Sequence, residues 1–262
     1  MKYSVLTYIM GDGECVHEIK EKDPEAEYIM VTDNPNLTSS TWDVVYDESL
    51  SGTVFNRVFE VRYNPFKYVH NDIVVKIDGS MEVCSSLQPI VDKFAKDNYE
   101  MSLLFHPTRS VLYDEYVAWA NNRQYPIEQA NKVLNFLARF EGYDVQHYKG
   151  LVQLNYSIQR NDKTNNDINR MTYAFLKYLA PTATNVDNDI DRLDQTIFSF
   201  VLNKYFNQVP VMFFDERLCH SKFFLWYPHN SYTPFAFGGV ETLSKPFAFN
   251  KPYHNQFKPD DF

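Results

Sequence analysis

The chain has 262 residues, with 25 Lys and Arg against 34 Asp and Glu, a formal net charge of −9. That balance argues against a nucleic acid or an anionic membrane as the principal partner, since clustered basic side chains hold both, although it leaves room for a local basic patch. With 44 % hydrophobic and 23 % charged residues, the sequence reads as a folded domain able to bury a substantial core.

Tyr3 to Ile9 reads as a first strand ending at Gly11-Asp12-Gly13, and Glu27 to Thr32 as a second ending at Asp33-Asn34-Pro35. Trp42 to Tyr46 is a third. Val54 to Tyr63 has helical spacing at Val54, Val58 and Val61. Asp72-Ile73-Val74-Val75-Lys76-Ile77-Asp78 is an apolar run that stops at a carboxylate followed by Gly79 and Ser80. It reads as a buried strand closing on a loop. Helices are expected over Ser86–Lys96, Tyr113–Asn121, Ile127–Phe140, Asp167–Leu179 and Leu193–Tyr205, and further strands over Met101–Phe105, Leu151–Arg160 and Val211–Phe214. From His220 the chain is rich in Phe, Tyr, Pro and His without clear periodicity, and reads as an ordered tail wrapped on the body or covering a site. Strands alternating with helices predict one α/β domain with a mostly parallel, Rossmann-like central sheet flanked by helices. Residues 1–105 are expected as its first half, 106–219 as its second and 220–262 as its tail.

In such sheets ligands gather beyond the carboxyl ends of the strands, so the polar residues there are the candidate site. Asp78, with Ser80 as a weaker or water-bridged partner, is suited to hold Mg²⁺ or Mn²⁺ against a diphosphate. Asp78-Gly79-Ser80 is also an ordinary strand-to-turn sequence. His106-Pro107-Thr108-Arg109, followed by Tyr113-Asp114-Glu115, offers a phosphate contact, a bidentate clamp and a base or sugar-hydroxyl ligand. In Asp191-Arg192-Leu193-Asp194-Gln195, Asp191 is a plausible N-cap and Asp194 a candidate general base, or simply an acid favoured by the helix dipole. Asp33 is placed to take base or ribose hydroxyls, and Arg57, Arg62 or Lys67 to pair with phosphates. The 21 Phe, 19 Tyr and 3 Trp lean toward sugar or nucleotide ligands.

Other chemistries are poorly supported. No HExxH or paired His spacing indicates zinc, and the P-loop, dinucleotide-binding and G-x-S-x-G patterns are missing from the sequence. Cys15, Cys84 and Cys219 stand far apart, which suits a reducing cytoplasm. The first residues lack a signal-peptide core, and no apolar stretch reaches the ~18 residues needed to cross a bilayer.

Taken in order, Tyr28-Ile29-Met30-Val31-Thr32-Asp33-Asn34, Asn56-Arg57-Val58, Pro65-Phe66-Lys67-Tyr68, Lys76-Ile77-Asp78-Gly79-Ser80, His106-Pro107-Thr108-Arg109 and Arg192-Leu193-Asp194-Gln195 follow a known pattern. The chain resembles a glycosyltransferase-like family found in plant mucilage-related proteins and bacterial polysaccharide clusters. More distantly it is similar to GT-A glycosyltransferases. In the family pattern Arg stands directly before Asp-Gln, whereas here Leu193 intervenes; the tail also lacks a His-x-x-Gly-x-x-Lys-Pro arrangement. The resemblance implies a single GT-A-like domain over 1–262, with 1–105 as its nucleotide-binding half, 106–219 as its acceptor half and Asp78 as the metal-associated acid. Tyr8, Asp33, Arg57, Arg62, Lys67, Gly79, Ser80, His106, Arg109 and Gln195 would then bind the donor, with Asp194 and Glu115 catalytic. The expected function is sugar transfer from a nucleoside-diphosphate sugar to a glycan or lipid-linked acceptor, assisted by Mn²⁺ or Mg²⁺. Membrane contact would be at most peripheral, with no nucleic acid partner. The alternative is a non-catalytic carbohydrate- or nucleotide-sugar-binding protein that keeps the fold.

Overall fold

The computed structural model describes residues 1–11, 14–106, 108–121, 127–147, 149–179, 193–235 and 254–257. Its elements, in chain order, begin with β1 (Tyr3–Ile9), β2 (Ala26–Thr32), β3 (Asp43–Tyr46), α1 (Val54–Tyr63), β4 (Ile73–Ile77), β5 (Met81–Val83) and α2 (Gln88–Lys96). There follow β6 (Met101–Phe105), α3 (Leu112–Asn121), α4 (Ile127–Asn135) and β7 (Val152–Arg160). The chain continues through α5 (Lys163–Leu179), α6 (Leu193–Tyr205), β8 (Val211–Phe214), β9 (Phe224–Trp226) and β10 (His254–Phe257).

Eight strands form one sheet in the order β10-β8-β6-β7-β4-β1-β2-β3. Every neighbouring pair is parallel except those made by β7, which runs antiparallel to both β4 and β6. The fold is therefore mixed α/β with a mostly parallel central sheet, as the sequence leads one to expect. Both faces are covered, which is why β1, β4, β6 and β8 are buried at every position.

Side-chain alternation sorts the strands' residues between the two layers. On β6, Met101, Leu103 and Phe105 join the core beneath α3–α6, while Leu104 joins the opposite core with Ile90, Val91 and Phe94 of α2. On β1 and β4, Leu6, Tyr8 and Val74 face Val61 of α1, while Val5, Ile73, Val75 and Ile77 face α2. The parity that puts Val74 under α1 also brings Lys76 and Asp78 there.

The structure moves some expected boundaries. Helix α5 starts at Lys163, a turn before the expected Asp167, because the Asn165 backbone N–H donates to Asp162 Oδ1 at 2.8 Å. The expected helix Ile127–Phe140 ends as α-helix at Asn135, and Phe136–Phe140 continues it as a π-helical turn. Strands β5, β9 and β10 are unanticipated. β5 and β9 pair as a separate antiparallel ribbon, and β10 adds a parallel edge strand beside β8. Each is too short for its period to show. No described helix is long and apolar enough to cross a membrane.

Candidate functional site

Four elements converge at the carboxyl edge of the sheet. Tyr8 comes from the end of β1, Asp78 follows β4, Arg62 lies in the last turn of α1 and Asp194 in the first turn of α6. Thr53 fixes the start of α1, its hydroxyl accepting from the Asn56 N–H at 3.2 Å. The acid in the first turn of α6 suits the helix dipole. Arg62 donates through Nε to Tyr8 Oη at 2.6 Å, through Nη2 to Asp78 Oδ1 at 2.5 Å and through Nη1 to Asp194 Oδ2. Tyr8 Oη donates in turn to Asp78 Oδ1 at 2.9 Å. Burial, the largest influence on Arg62, disfavours its charge. Tyr8, Asp78 and Asp194 outweigh it, and its pKa rises. Burial and then Asp194 likewise push the neighbouring Tyr63 phenol up.

Exposure distinguishes the two acids. The Asp194 side chain is 1 % exposed and also accepts from the Gln195 N–H at 2.8 Å, while the Asp78 side chain is 28 % exposed. Asp78 is thus the carboxylate of the cluster that a ligand can reach.

The loop after β4 explains its own sequence. The Asp78 N–H donates to the Asn155 carbonyl, and the Met81 N–H to the Asp78 carbonyl, both at 3.0 Å. A Cβ on Gly79 would lie 2.7 Å from the Tyr8 carbonyl oxygen, so glycine alone fits. Ser80 is buried, and its hydroxyl accepts from Trp226 Nε1 at 3.2 Å. The tail therefore contributes to this wall: β9 carries Trp226 and pairs with β5, directly after Ser80. Sequence reasoning missed Trp226, whose only signal was its place in an aromatic-rich tail.

His106, Arg109 and Glu115 form a second cluster at the end of β6. Arg109 Nε stands 2.7 Å from Glu115 Oε2 and 3.0 Å from His106 Nε2, and the Arg109 backbone N–H donates to His106 Nδ1 at 3.1 Å. Glu115 is fully enclosed. Since β7 lies between β4 and β6, the two clusters sit about 10 Å apart by strand spacing. The ladder between β6 and β7 slips there: Leu103 faces Ser157 but Leu104 faces Gln153, where an unbroken ladder would present Tyr156. The β4–β7 ladder, by contrast, runs on unbroken, so that the Asp78 N–H meets the Asn155 carbonyl in register.

The other expected residues are more dispersed. Asp33, after β2, accepts from the Gly11 N–H at 2.8 Å and pairs with Arg57 Nη1 at 2.8 Å. Lys67 pairs with Asp47 at 2.7 Å and is half exposed. Arg57 Nε and Gln195 Oε1 are buried without hydrogen-bond partners. Asp12, Gly13, Pro107, Asp191 and Arg192 lie outside the described residues.

Below the first cluster is a cavity of about 10 Å³, room for one water, lined by Tyr8, Arg62, Tyr63, Lys76 and Ser157 among others. Lys76 donates to the Arg62 carbonyl at 3.0 Å. Burial, and then the Arg62 charge, bring its pKa down to about 7.

The residues present suit a cation shared with a diphosphate rather than a closed protein cage. Asp78 Oδ1 is taken by Tyr8 and Arg62, leaving its second oxygen. The Ser80 hydroxyl is engaged by Trp226, and no three His, Cys, Asp or Glu side chains among the described residues gather to hold a metal ion.

No protein-family model matches the chain, and no curated protein matches it in sequence. Among solved structures it is similar to the apo form of WbbM, a bifunctional glycosyltransferase, at a TM-score of 0.46 and 8 % identity. The alignment covers 80 % of this chain and 44 % of that one, so the chain spans less than half of WbbM's length.

Proposed function

We propose that the chain transfers a sugar from a nucleoside-diphosphate donor to a glycan or lipid-linked acceptor at the carboxyl edge of the sheet. The observation that supports this reading is the convergence of Tyr8, Arg62, Asp78 and Asp194 on one point. Two carboxylates against one guanidinium leave that point net negative, so an anionic diphosphate needs a cation to approach it. In this reading Asp78 would help to hold a Mg²⁺ or Mn²⁺, and the ion would supply charge neutralisation for a departing diphosphate. Arg62 holds Asp78 in place, because its own donors are spent on the cluster. Arg57 Nε is the unpaired donor offered to a phosphate and Gln195 Oε1 the unpaired acceptor offered to a hydroxyl, while Arg109 is held by His106 and Glu115. The enclosed Glu115 and Asp194 then act by positioning Arg109 and Arg62, in place of the catalytic roles the sequence suggests for them. Titration calorimetry with UDP, GDP and CDP, with and without Mn²⁺, tests the proposal: tight binding of one nucleotide with the metal is expected, and heat from none of them would sink it.

The same enclosure of Asp194 and Glu115 favours a second reading, a nucleotide-sugar-binding protein without an exposed base. Donor hydrolysis by the wild type that vanishes in Asp78→Ala would reject it.

A further inference from the structure

We infer that an aromatic ridge on the helical layer docks on an anionic membrane surface. The ridge is built from five rings. Tyr205 at the end of α6 stacks on Phe175 of α5, with centroids 6.5 Å apart, and Phe175 meets Phe136 of the π-helical turn at 5.7 Å. Phe136 in turn contacts Phe140 at 6.1 Å and Tyr178 at 5.6 Å. Isolated exposed aromatics are ordinary, but here connected rings reach solvent together, Phe140 at 80 %, Tyr178 at 68 % and Tyr205 at 41 % exposure.

The charges around the ridge select the occupant. Lys132 lies one helical turn before Phe136, Arg139 directly precedes Phe140, and Lys177 directly precedes Tyr178; all three are exposed. Arg139 has no ion-pair partner among the described residues, and the nearby Glu141 is already bound to Lys204 at 2.8 Å. In a chain of net charge −9, this basic fringe runs against the background. A second copy docking about a two-fold axis through the ridge would bring two such basic fringes toward each other. Lipid headgroups instead present phosphates to Lys and Arg at the depth where Phe and Tyr rings lodge. The inference stands apart from the transferase reading, since no nucleotide enters it.

The full chain is mixed with vesicles of phosphatidylcholine alone, and of phosphatidylcholine with phosphatidylglycerol, then floated at low and high salt. Binding is expected to the anionic vesicles only and to weaken as salt rises. The Phe140→Ser, Tyr178→Ser double variant, checked for an unchanged melting midpoint, should lower partitioning about tenfold or more. Lys132→Glu with Arg139→Glu should remove the preference for anionic lipid. No binding to either vesicle, or undiminished binding by the serine variant, overturns the inference. So does a dimer in sedimentation that the serine substitutions dissolve, which would give the ridge to a second copy.

Discussion

Arg62 and Asp194, 132 residues apart in sequence, are joined by an ion pair that ties the last turn of α1 to the first turn of α6 over the strand ends. Arg62→Ala would leave the nearly inaccessible Asp194 carboxylate without its cation, at a cost of about 3–5 kcal/mol. Arg62→Lys should recover only part of this, because one ammonium cannot serve Tyr8, Asp78 and Asp194 with a planar fork. Urea unfolding of the two variants measures both effects. An alanine variant as stable as the wild type would show that the cluster does not hold these elements together.

Gly79→Ala puts a methyl 2.7 Å from the Tyr8 carbonyl, so the loop carrying Asp78 must move. A stability loss of about 1–3 kcal/mol is expected, with nucleotide affinity falling more than stability does. Calorimetry beside a melting curve separates the two. Unchanged affinity in a folded variant would detach this loop from the site.

Lys76 carries a pH signature. Its folded pKa of about 7 lies below the ordinary lysine value of 10.5, so a proton bound in the unfolded chain is released in the folded one between those limits. Its contribution to stability is present in full above 10.5 and is lost as pH falls to about 7. Lys76→Met should therefore gain most over the wild type at and below neutrality, and the gap should narrow as pH rises. Denaturant midpoints across that range check the slope; a gap that widens with pH contradicts the assignment.

Glu115→Gln distinguishes a base from a positioning residue. If Glu115 only aims Arg109, kcat/KM should fall about tenfold, mainly through a raised KM, and keep its pH profile. Loss of a general base would instead cost about 10²–10⁴ in kcat and remove the acidic limb. The two outcomes are read from one set of initial-rate measurements.

Much of the fold was legible because β1, β4, β6 and β8 are short, fully buried runs ending in turn residues. β1, β6 and β8, with helices α1 and α6, fall where period and punctuation put them. The strand-end acids Asp33 and Asp78 and the His106 segment were visible for the same reason. What one dimension hides is pairing. Arg62 reads as a cation free for phosphate, and only the tertiary fold shows its charge spent on Asp78 and Asp194. Lys76 breaks an apolar strand, a local conflict that the cavity and the Arg62 carbonyl resolve. The direction of β7 and its slip opposite Leu103 and Leu104 depend on neighbours no local pattern encodes.

His254–Phe257 lies parallel to Val211–Phe214 and shields that strand's outer side. A truncation that stops short of residue 254 would lay bare Val-Met-Phe-Phe, an apolar ribbon with unsatisfied amides ready to recruit other molecules. Shortened versions made for crystallisation should accordingly aggregate unless they retain this final strand.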